Sequence, residues 1–380
     1  MPSPRRYVVP TRATGLLALA LLLAGVGSAA PTEATTSHQV SWQVAPGVTY
    51  RAWRFTSTAG PQRVHVLDVD PAQPGVSLGY DTNASLRTRA PTSSIVGADP
   101  TAVGGTNGGY FDISDTGAPA GVGRSRRLGV LHAPSSGWND AFYQASDGSY
   151  RIGTVALTAR ITQHPSWPVT GLNLPHARRG SITVYSARWG RACGRCVVDS
   201  RHVAAREVRL RDGVVVRNTT HLLRRRPYDG LRLIGVGTAA RLLKRATVGS
   251  TLTPRWVLDP QPQMAITGSQ VLVSDGRVVA HNDGLRAPRT AVGIDDDTGH
   301  VLLVALDGRQ RHAVRMTLRA WARFLRRLGI DDAINLDGGG SSTMVARSAD
   351  GSTLGVVNRP SLGHERPVSD ALAVDYTPPA

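Results

Sequence analysis

The chain has 380 residues, 41 % of them hydrophobic, which is enough for a folded core and excludes wholesale disorder. The 41 glycines follow no three-residue period and exclude collagen, and the two cysteines cannot supply a disulfide scaffold or a four-ligand zinc site unaided. A formal net charge of +17 attracts polyanions such as nucleic acid, anionic envelope polymers or phosphorylated glycans. The same charge is equally compatible with simple solubility of an arginine-rich chain, in which Lys244 is the single lysine.

Residues 1–30 have the pattern of a signal peptide. Three arginines precede the bare apolar run 16–26, and small residues follow it up to Ala30. The run is too short to span a bilayer comfortably, and no later stretch is as long and apolar as a membrane helix needs. We therefore expect a secreted or envelope-associated protein without a transmembrane anchor, cleaved near Ala30. Cleavage removes three arginines and lowers the formal charge from +17 to 17 − 3 = +14.

Residues 31–60 are polar and rich in Pro, Thr and Ser, and they predict a leader with one edge strand near 47–55. The main domain is expected to run from 61 to 380. Its first strand is predicted over 63–69, where valines alternate with polar residues. The apolar segment 76–80 is expected to be the hairpin partner of that strand.

The rest of the chain predicts short strands punctuated by Gly, Pro and Asp-Gly. Asp-Gly pairs at 212–213 and 275–276 lie between apolar runs and are typical of hairpins. The pattern lacks the regular strand–helix alternation of a doubly wound sheet. It therefore predicts an α+β fold with a mostly antiparallel or mixed sheet and a few helices, and a β-rich insert over 160–260. The predicted strands are 152–157, 182–185, 208–210, 214–216, 271–273, 291–294 and 301–306.

The best helix is predicted over 318–328. Its apolar residues recur at helical spacing, Thr317 is a good N-cap, and Gly329 is a good stop after the last turn. The arginines of this segment fall on the opposite face, which indicates a solvated surface and not a binding helix.

Three local motifs suggest chemistry but favour simpler interpretations. The segment 235–240 matches a G-x-G-x-x-A dinucleotide pattern, yet no second unit supports it, so a tight strand-to-helix turn is favoured. The acidic run 295–297 resembles the opening of a calcium loop but lacks the later Glu, so a hairpin turn is favoured. Cys193 and Cys196 suit a redox motif or a tight disulfide, and export favours a structural bridge closing a hairpin. No cofactor is expected, and no metal-ligand set can be named.

Two glycine-rich segments are the strongest candidates for a site. The first covers 104–112 and contains Asn107-Gly108-Gly109-Tyr110-Phe111-Asp112; the second covers 333–344, where an apolar strand runs into Asp337, three glycines and Ser-Ser-Thr. Glycines allow positive φ and a close approach of the backbone to a ligand, and successive amides can form an anion-binding concavity. A single such loop is more often a capped turn, but two of them favour a functional site.

These segments resemble the phosphodiester glycosidase family, whose animal member is the uncovering enzyme N-acetylglucosamine-1-phosphodiester α-N-acetylglucosaminidase. The resemblance covers about residues 60–376. It implies a secreted or lumenal hydrolase that cleaves a sugar–phosphate diester and releases free sugar, and it does not fix the sugar. The motifs that carry it, in the order of the family, are 107–112, Arg289-Thr290-Ala291-Val292-Gly293, Leu306-Asp307-Gly308-Arg309, Asn335-Leu336-Asp337-Gly338-Gly339-Gly340-Ser341-Ser342-Thr343-Met344 and Arg366-Pro367-Val368-Ser369-Asp370-Ala371-Leu372.

The chemistry implied by this resemblance suits the residue types. The leaving group would be a phosphomonoester, already a stable anion, so the paired general acid of ordinary glycosidases matters less. Asp337 is predicted to be the carboxylate at the anomeric carbon, as base or nucleophile, with Asp112 as second choice. Guanidinium groups grip phosphate bidentately, and amides and hydroxyls add donors. The predicted substrate-binding residues are Asn107, Gly108, Arg289, Thr290, Gly339, Gly340, Ser341, Ser342, Thr343, Asn358 and Arg366.

Two rival hypotheses stay open on the sequence. One is a non-catalytic envelope module that holds anionic glycans in the same cleft, and the other is an unrelated hydrolase. Nucleic acid is not expected to be the main partner, since aromatic residues make up only 5 % of the chain and show no stacking pattern. The expected partner is an anionic, phosphate-containing glycan or envelope polymer.

Overall fold

The computed structural model describes residues 37–198, 202–311 and 313–379, which lie in one compact unit, residues 35–380. The expected signal peptide lies outside the described residues. The helices are α1 (Thr92–Val96), α2 (Thr238–Leu243) and α3 (Leu318–Arg327). The strands are β1 (Ser37–Ala45), β2 (Val48–Ser57), β3 (Gly60–Val69), β4 (Val76–Thr82), β5 (Ala102–Asn107), β6 (Gly123–Ser125), β7 (Gly129–Pro134), β8 (Asp140–Gln144), β9 (Tyr150–Thr154), β10 (Ala156–Ile161), β11 (Val169–Leu172), β12 (Ile182–Tyr185), β13 (Ala205–Arg211), β14 (Val214–Thr219), β15 (Leu231–Val236), β16 (Pro254–Asp259), β17 (Met264–Thr267), β18 (Val271–Ser274), β19 (Arg277–Val278), β20 (Arg289–Ile294), β21 (Val301–Leu306), β22 (Asp332–Asn335), β23 (Met344–Arg347), β24 (Leu354–Val356) and β25 (Asp370–Tyr376).

The strands form three large sheets and one small ribbon. An eight-stranded sheet has the order β1-β2-β3-β21-β20-β22-β18-β19, a five-stranded sheet the order β24-β23-β5-β25-β4, and a ten-stranded sheet the order β14-β13-β15-β12-β11-β7-β6-β17-β8-β9. Strands β10 and β16 pair separately. Among the described strand pairs, all are antiparallel except β11–β12. The predicted fold class, α+β with a mostly antiparallel or mixed sheet, is confirmed.

The eight-stranded sheet is buried on both faces at its centre, which explains its continuous apolar runs. In β3, Val64 and Val66 face a cluster around Trp321 of α3, whereas Leu67 and Val69 face the central core. That central core also contains buried residues of the five- and ten-stranded sheets, such as Leu372. Burying each of these side chains contributes about 1.5–3 kcal/mol, so the core holds the three sheets together.

Helix α3 forms as the sequence predicts. The side chain of Thr317 accepts a hydrogen bond from the backbone N–H of Ala320 and caps the first turn. Gly329 follows the last turn with φ 94°, a left-handed conformation that glycine adopts without steric cost. Trp321 and Leu325 are buried against the sheet, while Arg319 and Arg323 are exposed.

Several predicted local turns are present. The Asp-Gly pairs 212–213 and 275–276 join β13 to β14 and β18 to β19, with φ between 48° and 81° at all four residues. Such two-residue loops with positive φ match the twist of antiparallel strands. The G-x-G-x-x-A segment is a tight turn from β15 into α2, with Gly237 at φ 65°.

The predicted hairpin between 63–69 and 76–80 is wrong. Strand β3 pairs with β2 and β21, and β4 pairs with β25 at the far end of the chain. The leader supplies two strands, since β1 joins the predicted strand β2 at the edge of the eight-stranded sheet. Residues 160–260 contribute β11 to β15 to a sheet that continues through β7 and β17.

The disulfide of Cys193 and Cys196 spans a short 3-10 turn, Gly194–Val197, and does not close a hairpin. The segment around it is fixed by backbone pairing with residues 223–226. Within the described part of the chain, no helix has both the length and the apolar character needed to cross a bilayer.

Candidate active site

The two glycine-rich segments meet where the eight-stranded and five-stranded sheets converge. The first segment leaves β5 at Asn107, and the second leaves β22 after Asn335. The backbone N–H of Asp337 donates to the carbonyl of Gly108 at 3.1 Å, so the two loops are in direct contact. The juxtaposition predicted from the sequence is therefore present, although the residues are more than 200 positions apart.

Asn107 is the link between the loops. It is fully buried, and its Nδ2 donates to the carbonyl of Asp337 at 2.7 Å. Its Oδ1 accepts from Thr290 Oγ1 at 3.0 Å and from the backbone N–H of Thr343 at 3.1 Å. These bonds occupy both ends of the amide. Asn107 therefore positions the site, and the expected contact of its side chain with sugar hydroxyls or phosphate is not supported; Thr290 is likewise buried and engaged.

Asp337 lies at the centre of the arrangement and keeps partial solvent access. Its Oδ2 accepts a hydrogen bond from Ser341 Oγ at 2.6 Å. Burial raises the pKa of this carboxyl to about 6, while the Ser341 bond and the charge of Arg366 each oppose that rise. At neutral pH Asp337 is thus ionised but weakly solvated, which suits a catalytic base or nucleophile.

Two guanidinium groups flank the glycine turn. A Cβ at Gly340 would collide with the guanidinium of Arg366, whose Nη1 is 3.4 Å from Ser341 Oγ. A Cβ at Gly339 would lie 3.5 Å from Nη2 of Arg309. Within the described residues neither arginine forms a salt bridge with a carboxylate. Gly340 is needed because the Arg366 guanidinium packs directly on its backbone, and Gly339 because its φ of 64° is left-handed.

Three of the backbone N–H groups in 339–343, which are expected to bind a ligand, donate hydrogen bonds within the protein. The N–H groups of Gly339 and Ser341 donate to the carbonyls of Pro288 and Gly338, and that of Thr343 donates to Asn107. The hydroxyls of Ser342 and Thr343 are buried and have no hydrogen-bond partner among the described residues. Such unpaired hydroxyls are costly unless a ligand or water satisfies them, so they stay candidates for contacts in the site.

Asn358 forms hydrogen bonds to the backbone of the second loop. Its Oδ1 accepts from the backbone N–H of Met344 at 2.8 Å, and its Nδ2 donates to the carbonyl of Ser342 at 3.2 Å and to Asp307 Oδ1 at 3.1 Å. Asp307 is buried and also contacts His65, with Nε2 to Oδ2 at 3.2 Å. Asn358 therefore holds the loop backbone in place and is not free for a substrate.

Asp112, the second choice for the catalytic carboxylate, caps its own loop. Its oxygens accept hydrogen bonds from Ser114, Asp115 and Thr116, and these bonds lower the pKa of the carboxyl to about 2 although its partial burial acts in the opposite direction. A saturated carboxylate of this kind is a poor base. We therefore leave Asp112 out of the catalytic group.

Arg289 is also committed to the fold. Its Nε donates to the carbonyl of Met316 at 3.1 Å, and its Nη2 donates to the carbonyl of Leu285 at 2.6 Å and lies 3.4 Å from Asp283. A phosphate that bound bidentately to this Nε–Nη2 edge would have to displace these partners. The role of Arg289 as phosphate clamp stays a prediction, and Arg366 and Arg309, which form no salt bridge among the described residues, are better placed for it.

Asp370 is a buried carboxyl that the sequence reasoning missed. A Cβ at Gly108 would collide with Oδ1 of Asp370, which accepts from the N–H of Gly109 at 2.8 Å. Burial raises the pKa of Asp370 to about 7, and the charge of Asp337 adds to this rise. The only signal in the sequence is its place in the Arg366–Leu372 motif.

The neighbours of Asp370 are consistent with a proton on its carboxyl. His132 Nδ1 donates to the carbonyl of Gly121 at 2.8 Å, so its Nε2 accepts from Tyr80 OH at 2.7 Å. Burial lowers the pKa of His132 to about 4, which keeps the ring neutral. Because the single Tyr80 proton goes to His132, the 3.3 Å contact of Tyr80 OH with Asp370 Oδ2 is a hydrogen bond only if Asp370 donates.

We expect the Asp370→Asn variant to lose part of the pH dependence of stability. A carboxyl with a pKa of about 7 in the fold and about 4 in the unfolded chain binds more protons when folded, so stability falls as pH rises from about 4 to about 7. Asn mimics the protonated acid. Thermal melts between pH 4.5 and 8 should decline less steeply for the variant, and parallel curves would contradict the assignment.

Trp138 forms an aromatic flank beside the first loop. It is 48 % exposed, and its ring lies 5.4 Å from that of Tyr110, centroid to centroid. Tyr110 OH accepts from Asn335 Nδ2 at 3.2 Å. Burial raises the pKa of Tyr110, and the charge of Asp337 adds to that rise. No periodic pattern in the sequence marks Trp138, because it lies in the loop between β7 and β8.

No group of three or more His, Cys, Asp or Glu side chains is arranged to hold a metal ion in residues 37–198, 202–311 and 313–379. The described part of the site thus consists of one partly solvated carboxylate, one buried carboxyl with a raised pKa, two guanidinium groups and an aromatic pair.

Comparison with known proteins agrees with the motifs. Residues 191–375 match the model of the phosphodiester glycosidase family, and the resemblance expected from the sequence is thereby confirmed. This segment contains Asp337, Arg309, Arg366 and Asp370, whereas the loop around Asn107 lies outside it. No curated protein matches the chain.

Solved structures share the fold at low identity. A hypothetical protein from Synechocystis aligns with a TM-score of 0.72 and 21 % identity over 87 % of this chain, which spans only 62 % of that protein. A Burkholderia pseudomallei protein described as exported aligns with a TM-score of 0.72 and 20 % identity, over 90 % of this chain and 97 % of its own. The catalytic domain of zebrafish N-acetylglucosamine-1-phosphodiester α-N-acetylglucosaminidase, auto-inhibited by its pro-peptide, gives a TM-score of 0.46 and 18 % identity over 90 % and 88 % of the two chains. The first two establish a common fold.

Proposed function

We propose that this protein hydrolyses the glycosidic bond of a sugar-1-phosphodiester in a phosphate-linked glycan or envelope polymer. The observation that carries the proposal is the pairing of Asp337, a weakly solvated carboxylate, with the Arg366 guanidinium across Ser341. A site for this reaction needs an anion at the anomeric carbon and a cation on the adjacent phosphate, and these two groups supply both.

The reaction breaks the bond between the anomeric carbon and the bridging oxygen. The electron pair of that bond passes to the phosphate, which leaves as a phosphomonoester. Water supplies the hydroxyl of the released sugar and one proton, which Asp337 accepts if it acts as base and which the phosphomonoester finally carries. If Asp337 acts as nucleophile, it first forms a glycosyl ester that water then cleaves. The anomer released first distinguishes the two routes.

Arg366 and Arg309 are the proposed phosphate clamp. Both guanidinium groups lie against the 339–340 backbone without a carboxylate partner in the described chain, so they can bind phosphate oxygens without first breaking a salt bridge. The buried hydroxyl of Ser342 is a further donor, without a hydrogen-bond partner in the part of the chain that the structure describes. Asp370 supports the first loop in its neutral form, which avoids a second negative charge beside an anionic substrate.

Trp138 is the proposed platform for the sugar ring. Exposed indole faces bind the C–H groups of pyranoses, and its neighbour Tyr110 fixes the ring close to the loop that contacts Asp337. For Trp138→Ala we expect KM to rise by roughly tenfold with a smaller change in kcat, since a stacked aromatic contributes about 1–2 kcal/mol. Steady-state kinetics on a small sugar-1-phosphodiester measure this; an unchanged KM would remove Trp138 from the site.

Export is part of the proposal. The amino-terminal pattern of residues 1–30 predicts a signal peptide, and the Burkholderia protein of the same fold is described as exported. We propose that residues 61–380 form the catalytic domain of a secreted or envelope-associated enzyme. Amino-terminal sequencing of the protein from culture supernatant should give a mature start near Pro31.

A panel of small substrates tests the function. Purified protein should release reducing sugar from at least one methyl sugar-1-phosphodiester, and should leave the corresponding methyl glycoside intact because that compound has a poor leaving group. The panel should vary the sugar and the anomeric configuration. Saturable, salt-sensitive binding of these diesters without turnover would instead favour a non-catalytic glycan-binding module.

A further inference from the structure

A continuous basic surface lies around the disulfide, apart from the groups proposed for catalysis. A depression of about 940 Å³ is lined by Arg224, Asp115 and the two half-cystines. A second depression shares Arg224 and Cys193 with it and adds Arg87, Arg191 and Arg225. A third shares Thr220 and adds Arg241 and Lys244. We call this surface the basic cleft, defined by Arg87, Arg191, Arg224, Arg225, Arg241 and Lys244.

The fold presents these cations without neutralising them. Within the described residues no salt bridge joins any of the six to a carboxylate, and Asp115 is the one acid among the described lining residues. Several unpaired like charges on one surface repel each other, and a polyanion would relieve that repulsion.

Two of the cations, Arg191 and Arg87, are held by hydrogen bonds to backbone carbonyls of the same surface. Arg191 Nη2 donates to the carbonyl of Arg225 at 3.1 Å, and Arg87 Nη1 donates to the carbonyl of Arg191. The backbone N–H of Arg225 donates to the carbonyl of Ala192 at 2.7 Å, with Arg225 at φ 59°. A left-handed backbone at a non-glycine residue costs energy and often marks a functional position. Arg224, Arg225 and Arg241 are exposed, and their side chains form no hydrogen bond within the described chain.

One loop connects the basic cleft to the candidate active site. The hairpin-like loop 110–120 is closed by hydrogen bonds between Ala120 and Tyr110 and between Asp112 and Ala118. Tyr110 lies at the Asp337 end, whereas Asp115 lines the basic cleft and the carbonyl of Thr116 accepts from Arg87 Nε at 3.0 Å. Five residues span at most about 18 Å, so a polymer of a few sugar-phosphate repeats can reach from one site to the other.

We propose that the basic cleft is an exosite that binds the anionic backbone of a phosphodiester-linked glycan while one glycosyl phosphate lies at Asp337. The identity of this polymer rests on the proposed function. Closely spaced arginines suit repeated phosphates, which they bind bidentately. The described lining residues of the three depressions include no aromatic side chain, so the stacking platform typical of single-stranded nucleic acid binders is missing there.

The test compares two triple variants of equal charge. R224Q/R225Q/R241Q removes three cations of the basic cleft, and R319Q/R323Q/R327Q removes three exposed arginines from α3 as the matched control. Both are made in the full chain, with and without Asp337→Asn. Binding to fluorescent phosphomannan, whose sugars are linked through 1-phosphodiesters, is measured with the Asp337→Asn proteins between 50 and 500 mM NaCl. Dephosphorylated mannan and poly(dT) serve as the other two probes.

We expect the cleft variant to bind phosphomannan at least tenfold more weakly at 150 mM NaCl. The Kd of the α3 variant should stay within threefold of that of its parent. The slope of log Kd against log salt should decrease by about 2, since each neutralised phosphate contributes roughly 0.7–0.9. On the polymer, KM should rise for the cleft variant, while hydrolysis of a small methyl sugar-1-phosphodiester stays unchanged.

Other outcomes separate the two proposals. Equal weakening by both triple variants would mean that only bulk charge matters and would overturn the exosite. If the protein binds poly(dT) more tightly than phosphomannan, and the cleft variant loses that binding, the basic cleft is a nucleic-acid surface and the exosite proposal is wrong. Loss of phosphomannan binding in the cleft variant without any turnover by the active protein would leave the exosite in place and reject the proposed hydrolysis.

Discussion

The Asp337→Asn variant should lose between 10²- and 10⁴-fold in kcat on a sugar-1-phosphodiester, the range typical for removal of a general acid or base. Asparagine has the same shape and can still accept the hydrogen bond of Ser341 Oγ, so the loop should keep its conformation. Because the wild-type carboxylate is poorly solvated, the melting temperature at pH 7.5 should be unchanged or higher. Steady-state kinetics and thermal melts on the same samples measure the loss of kcat and the melting temperature.

Asp112→Asn is the matched control, since Asp112 is the carboxyl of the other glycine-rich loop. Its hydrogen bonds to Thr116 lie within its own loop, and its further contact, with His176 Nε2 at 3.6 Å from Oδ2, does not involve Asp337, so we expect activity within about threefold of wild type and a modest loss of stability of about 1 kcal/mol. Full activity of Asp337→Asn, or a greater loss from Asp112→Asn than from Asp337→Asn, would contradict the assignment of the catalytic carboxylate.

The pH profile follows from the same carboxyl. Asp337 works in its ionised form, and its pKa is raised to about 6 by burial. We therefore expect kcat/KM to fall about tenfold for each pH unit below that value. At higher pH the ionisation of Asp337 should cause no further change in kcat/KM. A rate that rises on acidification below pH 6 would indicate that the protonated acid is the active form.

The Asn107→Ala variant should be the most destabilising single substitution in the site. Truncation leaves the Thr343 N–H and the Asp337 carbonyl buried without their partner and frees Thr290 Oγ1. Each unsatisfied buried group costs about 1–3 kcal/mol, so the free energy of unfolding should fall by roughly 3–5 kcal/mol. That is a large share of the total stability of a typical protein, about 5–15 kcal/mol. Urea denaturation measures it.

Thr290→Val provides the comparison for Asn107. It removes one hydrogen bond of the same set with little change in side-chain volume, and should cost only about 1–2 kcal/mol. If Asn107→Ala destabilises the protein no more than Thr290→Val does, the bonds between the loops do not hold the site together. If Asn107→Ala is stable but has a greatly raised KM, the side chain contacts substrate after all.

The sequence predicts features that depend on near neighbours in the chain. Helix α3 follows from its apolar spacing and the Thr317 cap, and the hairpin turns follow from Asp-Gly pairs that tolerate positive φ. Strands β20 and β21 follow from continuous apolar runs. Strand pairing over long distances does not follow: β4 has an apolar segment, but nothing local shows that its partner is β25, almost 300 residues later.

In the site, too, the local motifs can be predicted from the sequence, whereas the contacts between distant residues cannot. The two glycine-rich motifs indicate that Asp337 and the first loop belong together, and the contact of the Asp337 N–H with the Gly108 carbonyl agrees with this. They do not show where each side chain points. Asn107 and Arg289 have residue types that suit a phosphoglycan, yet both ends of the Asn107 amide and the Nε and Nη2 atoms of Arg289 form bonds to the protein. The raised pKa of Asp370 and the exposure of Trp138 depend on the folded chain, which no local pattern records.

The central claim is that cleavage occurs at the anomeric carbon, beside Asp337, and not at phosphorus. Hydrolysis of a methyl sugar-1-phosphodiester in water enriched in oxygen-18, followed by mass spectrometry of both products, decides this directly. The account predicts the label in the sugar at its anomeric hydroxyl and none in the methyl phosphate. Label in the methyl phosphate would show phosphodiester cleavage at phosphorus and would contradict the role given to Asp337.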